Sequence, residues 1–136
     1  MDIVHIRNCV YQTAYHLVWC PKFRRQILVG DVVTTLKTLL ESICKDRGWI
    51  IIALEIQPDH VHLFISFPPA SSISNVVKIL KGSTARLLFL RHPSITEKLW
   101  GGHLWSPSYY AGTAGSVSAE TIQKYIERTE HMKSRR

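Results

Sequence analysis

The segment His60–Phe67, HVHLFISF, constrains the fold more than any other stretch of the chain. Val61, Leu63, Ile65 and Phe67 fall at alternate positions. A two-residue period marks an extended strand whose side chains point alternately to opposite faces. One face of this strand is apolar throughout and must be covered. The other carries His60 and His62 together, with Cα atoms about 7 Å apart in an extended chain. Two imidazoles at that separation can reach one ion, and neutral imidazole is a common metal ligand. A sheet with one apolar and one polar face needs helices on one side only.

The neighbouring segments supply those helices. Val10–Cys20 is aromatic and β-branched and reads as a first strand, followed by the basic turn PKFRRQI. Asp31 is the expected N-cap of a helix in which Val32, Val33, Leu36, Leu39, Leu40 and Ile43 recur at helical spacing and which Gly48 ends. WIIIALEIQ is the next strand, and Pro58-Asp59 turns the chain into HVHLFISF. A second helix begins near Ser71 or Ser72, with Ile73, Val76, Val77, Leu80, Leu87 and Leu88 on one face. Gly82 inside it weakens the helix by about 1 kcal/mol relative to Ala, which suggests close approach of a backbone or ligand. An irregular stretch rich in Trp and Gly leads to a fourth strand in SYYAGTAG, and Ser118 is placed to cap a last helix, AETIQKYIERTEHMK. The order β-α-β-β-α-β-α matches a ferredoxin-like, split β-α-β layout of the α+β class with one added C-terminal helix. Residues 1–136 are expected to form one domain.

The charge balance points to a polyanionic partner. Seventeen Lys and Arg stand against ten Asp and Glu, a formal net charge of +7 on 136 residues. Lys22, Arg24, Arg25, Lys78, Lys81 and Arg86 lie within the folded pattern and are the candidate contacts to such a polyanion, DNA under the resemblance described below. Trp100, Trp105, Tyr109 and Tyr110 have rings suited to stacking on bases, although core or dimer packing is the expected role of most. Three widely spaced cysteines form neither a disulfide framework nor a CxxC metal pair. No apolar run of about eighteen residues suggests a membrane span, and no leader pattern opens the chain. A cytoplasmic setting is expected.

Two further residues bear on chemistry. His16 could join His60 and His62 in a zinc-type hydrolytic site, but its face relative to the pair is not fixed by sequence, and a half-buried polar role is the simpler expectation. Tyr125, in TIQKYIERTE, is by residue type an aromatic anchor on an amphipathic helix beside Ile122 and Ile126. Combined with a basic surface and a His-x-His strand, it is also a candidate nucleophile. A phenol with a pKa near 10 attacks a phosphodiester poorly unless a cation polarises the phosphate.

Five segments, YHLVWCPKFRR, QPDHVHLFIS, KILKGSTARLLF, KLWGGHLWSPSYY and IQKYIE, together resemble the TnpA-type single-tyrosine HUH transposases of the insertion-sequence two-hundred/six-hundred-and-five group. They occur in the family's order from about Tyr11 to Glu127. The resemblance implies an enzyme that cuts and rejoins single-stranded DNA at insertion-sequence ends and leaves a 5′-phosphotyrosine link and a free 3′-hydroxyl. It implies recognition of subterminal hairpins, and dependence on a divalent ion, Mg²⁺ or Mn²⁺. It also implies a homodimer whose active sites combine the histidines of one chain with the tyrosine helix of the other. By position, His60 and His62 match the metal ligands and Tyr125 the nucleophile. The family often has a glutamine four residues after the tyrosine, where this chain has Thr129. A hydroxyl is a weaker ligand, while the adjacent Glu130 suits a hard cation but lies about 100° around an ideal helix. Two other readings differ in class or substrate. One is a non-catalytic nucleic-acid-binding module on the same sheet, which would tolerate loss of His60 and Tyr125. The other is a domesticated, repeat-associated tyrosine transposase acting on short genomic palindromes.

Overall fold

In the computed structural model, residues 4–6, 9–11, 13–99, 102–113 and 124–127 are described. Strands β1 (Val4–Ile6) and β2 (Cys9–Tyr11) form a small antiparallel ribbon. The main sheet contains β3 (Tyr15–Trp19), β4 (Ile50–Gln57), β5 (His60–Ser66) and β6 (Tyr110–Thr113), in the spatial order β4-β5-β3-β6, with every pair antiparallel. This is the strand order of the expected split β-α-β sheet. The first strand differs from expectation: Val10–Cys20 is divided, its first residues pairing in the ribbon and only Tyr15–Trp19 entering the sheet. Propensity alone cannot mark such a change of partner.

Helices α1 (Asp31–Arg47) and α2 (Ile73–Arg91) cover one face. In α1, Val32, Leu36, Leu39, Leu40 and Cys44 are buried at helical spacing. Gly30 takes the N-cap position and Asp31 is the first helical residue, where its carboxylate favours the positive end of the helix dipole. Gly48 ends α1 at φ 73°, and the Trp49 N–H donates back to the Cys44 carbonyl at 2.8 Å, a left-handed cap that suits glycine. The Ser72 hydroxyl caps α2 by accepting from the Asn75 N–H at 3.1 Å. Among the described residues, nothing outside its own helical turn lies within 4 Å of where a Cβ at Gly82 would stand, so no protein backbone approaches it closely.

The helices bury what the alternating pattern requires. Val61, Leu63, Ile65 and Phe67 are 0–2% exposed and pack in one core with Leu17, Trp19, Leu36, Leu40, Val77, Leu80 and Leu88. Burying a side chain of this size stabilises the fold by about 1.5–3 kcal/mol. Thr84 also lies on this face of α2. It satisfies its hydroxyl against the Leu80 carbonyl at 2.6 Å and accepts the Trp105 indole N–H at 3.1 Å. Among the described residues, no helix is long and apolar enough to cross a membrane.

Candidate active site on the histidine face

Register decides which side chains share the other face. His62 stands opposite Val18 on β3 and Glu55 on β4, His60 opposite Gln57, and Phe64 opposite His16. Cross-strand partners project to the same side. His60 and His62 are therefore joined by His16, Val18 and Glu55. The Nδ1 of His16 lies 2.8 Å from the Nε2 of His62, and the His16 ring stacks on Phe64 with centroids 4.1 Å apart. Of two ring nitrogens in contact, one donates and the other accepts, which requires a neutral acceptor.

The surroundings favour neutral rings. Burial holds the His16 pKa below its ordinary value. For His62 burial is again the main cause, reinforced by His16, opposed by the Glu55 carboxylate and assisted by His60. An unfolded histidine takes up its proton near 6.5, whereas the folded pair does so at lower pH. Below 6.5 the unfolded chain therefore binds more protons, and stability falls as pH drops. Denaturant midpoints measured downwards from that pH are expected to decline less steeply for His62→Gln than for the unsubstituted chain.

His60 is held differently. Its Nδ1 lies 2.9 Å from Asp59 Oδ1, and the other carboxylate oxygen of Asp59 lies 3.2 Å from Arg24 Nε. With Nδ1–H donating to the carboxylate, Nε2 keeps its lone pair and faces away from Asp59. A carboxylate behind an imidazole commonly fixes the tautomer and orientation of a metal-binding histidine. Arg24 reaches Asp59 from a strained loop: Phe23 and Arg24 have φ 58° and 52°, in the left-handed region that non-glycine residues seldom occupy. The Lys22 N–H donates to the Leu104 carbonyl at 2.8 Å and the Arg24 N–H to the Pro21 carbonyl at 2.9 Å, bracing that conformation.

Tyr125 is on the same face. The helical turn 124–127 buries Tyr125 and Ile126 against Val18 and Cys20, with Tyr110 packed alongside. This second, smaller core sits on the opposite side of the sheet from α1 and α2. Within one chain, part of the face expected to stay open is thus covered by that chain's own tyrosine turn. Val18, which shares this small core with Tyr125, is also the direct cross-strand neighbour of His62. The Tyr125 hydroxyl meets Ser108 Oγ at 3.1 Å. Thr129, Glu130 and Ser118 lie outside the described residues. Among the described residues, no group of three or more His, Cys, Asp and Glu side chains is placed to hold one metal ion.

The basic candidates divide. Arg25, Lys78 and Arg86 are exposed, but Lys78 and Arg86 lie on α2, in the layer away from the histidines. Lys22 sits 5.2 Å from the Phe23 ring centroid, and Arg24 engages Asp59. Lys81 donates to the backbone carbonyls of Ser106 at 2.6 Å and Ser108 at 3.1 Å. Trp105 is 7% exposed and meets Trp19 edge-on, a core role; Tyr109 and Tyr110 are half-buried, and Trp100 lies outside the described residues.

Sequence reasoning left His16 open and passed over Asp59 and Ser108. The structure fixes the face of His16: Leu17 and Trp19 enter the main core, so by strand parity His16 and Val18 point to the other side, a choice the equally apolar Val18 and Cys20 leave open in the sequence. Asp59 is visible as a carboxylate adjacent to His60. Ser108 carries no signal of its own, because its contact depends on tertiary packing.

The family model described as "Transposase IS200 like" matches residues 9–129. The chain belongs to the IS200-like transposases. Among relatives of this transposase, ISDra2 transposase TnpA of Deinococcus radiodurans is 49% identical over 121 residues, spanning 89% of this chain and 86% of that protein. The transposase for insertion sequence element IS200 of Salmonella typhimurium is 31% identical over 127 residues, spanning 93% of this chain and 80% of that one. A crystal structure described as a transposase from Deinococcus radiodurans R1 superposes with a TM-score of 0.86 at 40% identity, covering 93% of this chain and 97% of that one. A REP-associated tyrosine transposase bound to a REP hairpin superposes with a TM-score of 0.56 at 15% identity, covering 93% and 69%. At that identity, the second superposition establishes a shared fold. The IS200-like transposase is of the IS200/IS605 type, a protein of mobile-element DNA transposition.

Proposed function

We propose that this transposase cuts and rejoins single-stranded DNA at the ends of its insertion sequence, with Tyr125 as nucleophile. The observation that carries the proposal is the seating of Tyr125 on the histidine face, in one small core with Val18, the strand neighbour of His62. The tyrosine oxygen attacks the scissile phosphorus, a 5′-phosphotyrosine bond forms, and the P–O3′ bond breaks. The phenolic proton is balanced by the proton gained at the departing 3′-hydroxyl. The new ester keeps the phosphodiester's bond energy, so a second 3′-hydroxyl can displace Tyr125 and restore a DNA strand without ATP.

His60 and His62 are the proposed ligands of a divalent ion, Mg²⁺ or Mn²⁺. The donor set fits: His60 presents Nε2 with its tautomer held by Asp59, and His62 is kept neutral by burial. His62 must exchange its contact with His16 for the ion. A further ligand is assigned to Thr129 or Glu130. When bound, the ion supplies charge stabilisation at the phosphate oxygens. Asp59→Asn is expected to weaken Mn²⁺ binding, measured by calorimetry, by about 10- to 100-fold. An unchanged affinity would remove Asp59 from the metal-binding reading.

The substrate is proposed to be single-stranded DNA carrying subterminal hairpins. Support comes from the net charge of +7 and from the hairpin bound to the fold-sharing REP-associated transposase. The exposed Arg25, Lys78 and Arg86 remain proposed backbone contacts. A mobile-element substrate is preferred over a domesticated one because of the 49% identity to ISDra2 transposase TnpA. Incubating the protein with single-stranded element ends and resolving a denaturation-resistant protein–DNA adduct tests the activity directly. The cytoplasm is the proposed setting.

The active form is proposed to be a homodimer that exchanges its tyrosine turns, each seated on the partner's histidine face. The seat of Val18, Cys20 and Tyr110 can receive either copy, as in domain swapping. Mixing His60→Ala chains with Tyr125→Phe chains separates the arrangements. With exchanged turns, a heterodimer has one doubly impaired site and one intact site, so adduct formation returns. With turns kept on their own chain, every site carries a lesion. No recovery after verified subunit exchange would exclude the exchanged form.

A further inference from the structure

We propose that Lys81 is a positioning residue for Tyr125, acting through Ser108; the inference deepens the reading of Tyr125 as nucleophile and rests on it. Three contacts form a chain from α2 to the phenol. The Lys81 ammonium donates to the carbonyls of Ser106 at 2.6 Å and Ser108 at 3.1 Å, and the Ser108 hydroxyl meets the Tyr125 hydroxyl at 3.1 Å. Lys81 is rooted in the helix layer on the far side of the sheet, so one side chain joins the rigid core to the segment that holds the nucleophile.

The segment needs such a tie. Residues 106–109 have no place in the sheet, which β6 enters only at Tyr110. The Ser106 N–H donates to the Cys20 carbonyl at 2.9 Å, fixing one end. Lys81 then fixes the carbonyls on either side of Pro107, and Pro107 adds its own limit on φ. With both carbonyls held, Ser108 Oγ has a defined position toward the phenol. When the serine hydroxyl donates to the tyrosine oxygen, it fixes that oxygen's position and stabilises the phenolate form. Neither Ser108 nor Lys81 is required to take the phenolic proton.

The placement of Lys81 is costly, which argues for a purpose beyond solubility. Burial pushes its ammonium down to about 8, with Cys20 nearby acting in the opposite direction. Most surface lysines remain hydrated, whereas this one is engaged by backbone oxygens beside the second small core.

The test compares Lys81→Met, Ser108→Ala, their combination, and Lys81→Arg. Single-turnover adduct formation on a saturating single-stranded end is read alongside hairpin affinity and thermal melting. Each of the first two variants is expected to slow adduct formation by about 10- to 100-fold, the scale of a nucleophile displaced by about an ångström, with hairpin affinity retained. The combination is expected to be no slower than the slower single variant, because both break one chain of contacts. Lys81→Arg, which keeps cationic donors, is expected to recover part of the rate. Rates near that of the unsubstituted enzyme in both single variants would overturn the proposal, as would multiplicative losses in the combination. If Lys81→Met does not melt cooperatively, Ser108→Ala and Lys81→Arg decide the matter. The Tyr125 ring signals in NMR spectra of DNA-free protein give a separate readout, expected to shift alike in Lys81→Met and Ser108→Ala. Unmoved ring signals would overturn the positioning role. Adduct formation by Tyr125→Phe would instead overturn the nucleophile assignment, so the two failures are distinct.

Discussion

Replacing Tyr125 by phenylalanine is expected to reduce covalent adduct formation by more than about a thousandfold, because the only oxygen assigned to the phosphotyrosine bond is removed. The ring should stay where it is. Its packing against Val18, Cys20 and Tyr110 involves carbon atoms that phenylalanine retains. The substitution removes the hydroxyl's contact to Ser108, worth about 1 kcal/mol of stability. Hairpin affinity, measured by fluorescence anisotropy, should therefore change little, while the denaturation-resistant adduct disappears. An adduct of undiminished yield in this variant would take Tyr125 out of the mechanism. Loss of both adduct and binding would point to a misfolded sheet face and would be recognised by a lowered melting temperature.

The apolar half of the fold was legible because its signal is redundant. Val61, Leu63, Ile65 and Phe67 announce a strand face, and Val76, Val77, Leu80 and Leu88 announce the helix face that covers it. Each pattern confirms the other through the same requirement for burial. Gly48 and Ser72 were readable as helix ends because their local chemistry completes the backbone hydrogen bonds. The division of Val10–Cys20 between two sheets was not readable. Both halves have strand composition, and the choice of partner is made by chain segments far away in sequence.

The candidate site shows a similar division. That His60 and His62 share a face follows from parity within one strand. That His16 touches His62 depends on the register between β3 and β5, which composition does not encode. Arg24 reads as a phosphate contact because an arginine in a basic turn usually faces solvent; what the sequence does not show is that positive φ values at Phe23 and Arg24 bring its Nε to Asp59. Lys81 lies at the border of the apolar face of α2. Its reach to Ser106 and Ser108 emerges only when the 102–113 segment returns past that helix. Charge count thus identified a class of partner, while packing decided which cations remain exposed to meet it.

Removing either histidine, or the divalent ion, is expected to suppress cleavage by at least about a hundredfold, beyond the range typical of altered supporting residues. The two histidine variants should differ in detail. His60→Ala deletes a ring whose Nε2 is held ready by Asp59 and leaves the Arg24–Asp59 pair in place. No other described histidine is hydrogen-bonded to Asp59, so excess Mn²⁺ should restore little. His62→Ala deletes the partner of His16, whose Nδ1 lies 2.8 Å from the lost Nε2. His16 is stacked on Phe64 at that spot and is kept neutral by burial, so it can offer a substitute nitrogen. Partial rescue by excess Mn²⁺ is therefore expected to be greater for His62→Ala than for His60→Ala, and to vanish when His16→Ala is added. Hairpin affinity should survive in all three, since the exposed Arg25, Lys78 and Arg86 are untouched. Adduct formation that continues in a strong chelator at the unsubstituted rate would exclude a divalent ion from the reaction. Equal rescue of the two variants would show that His16 does not stand in for His62.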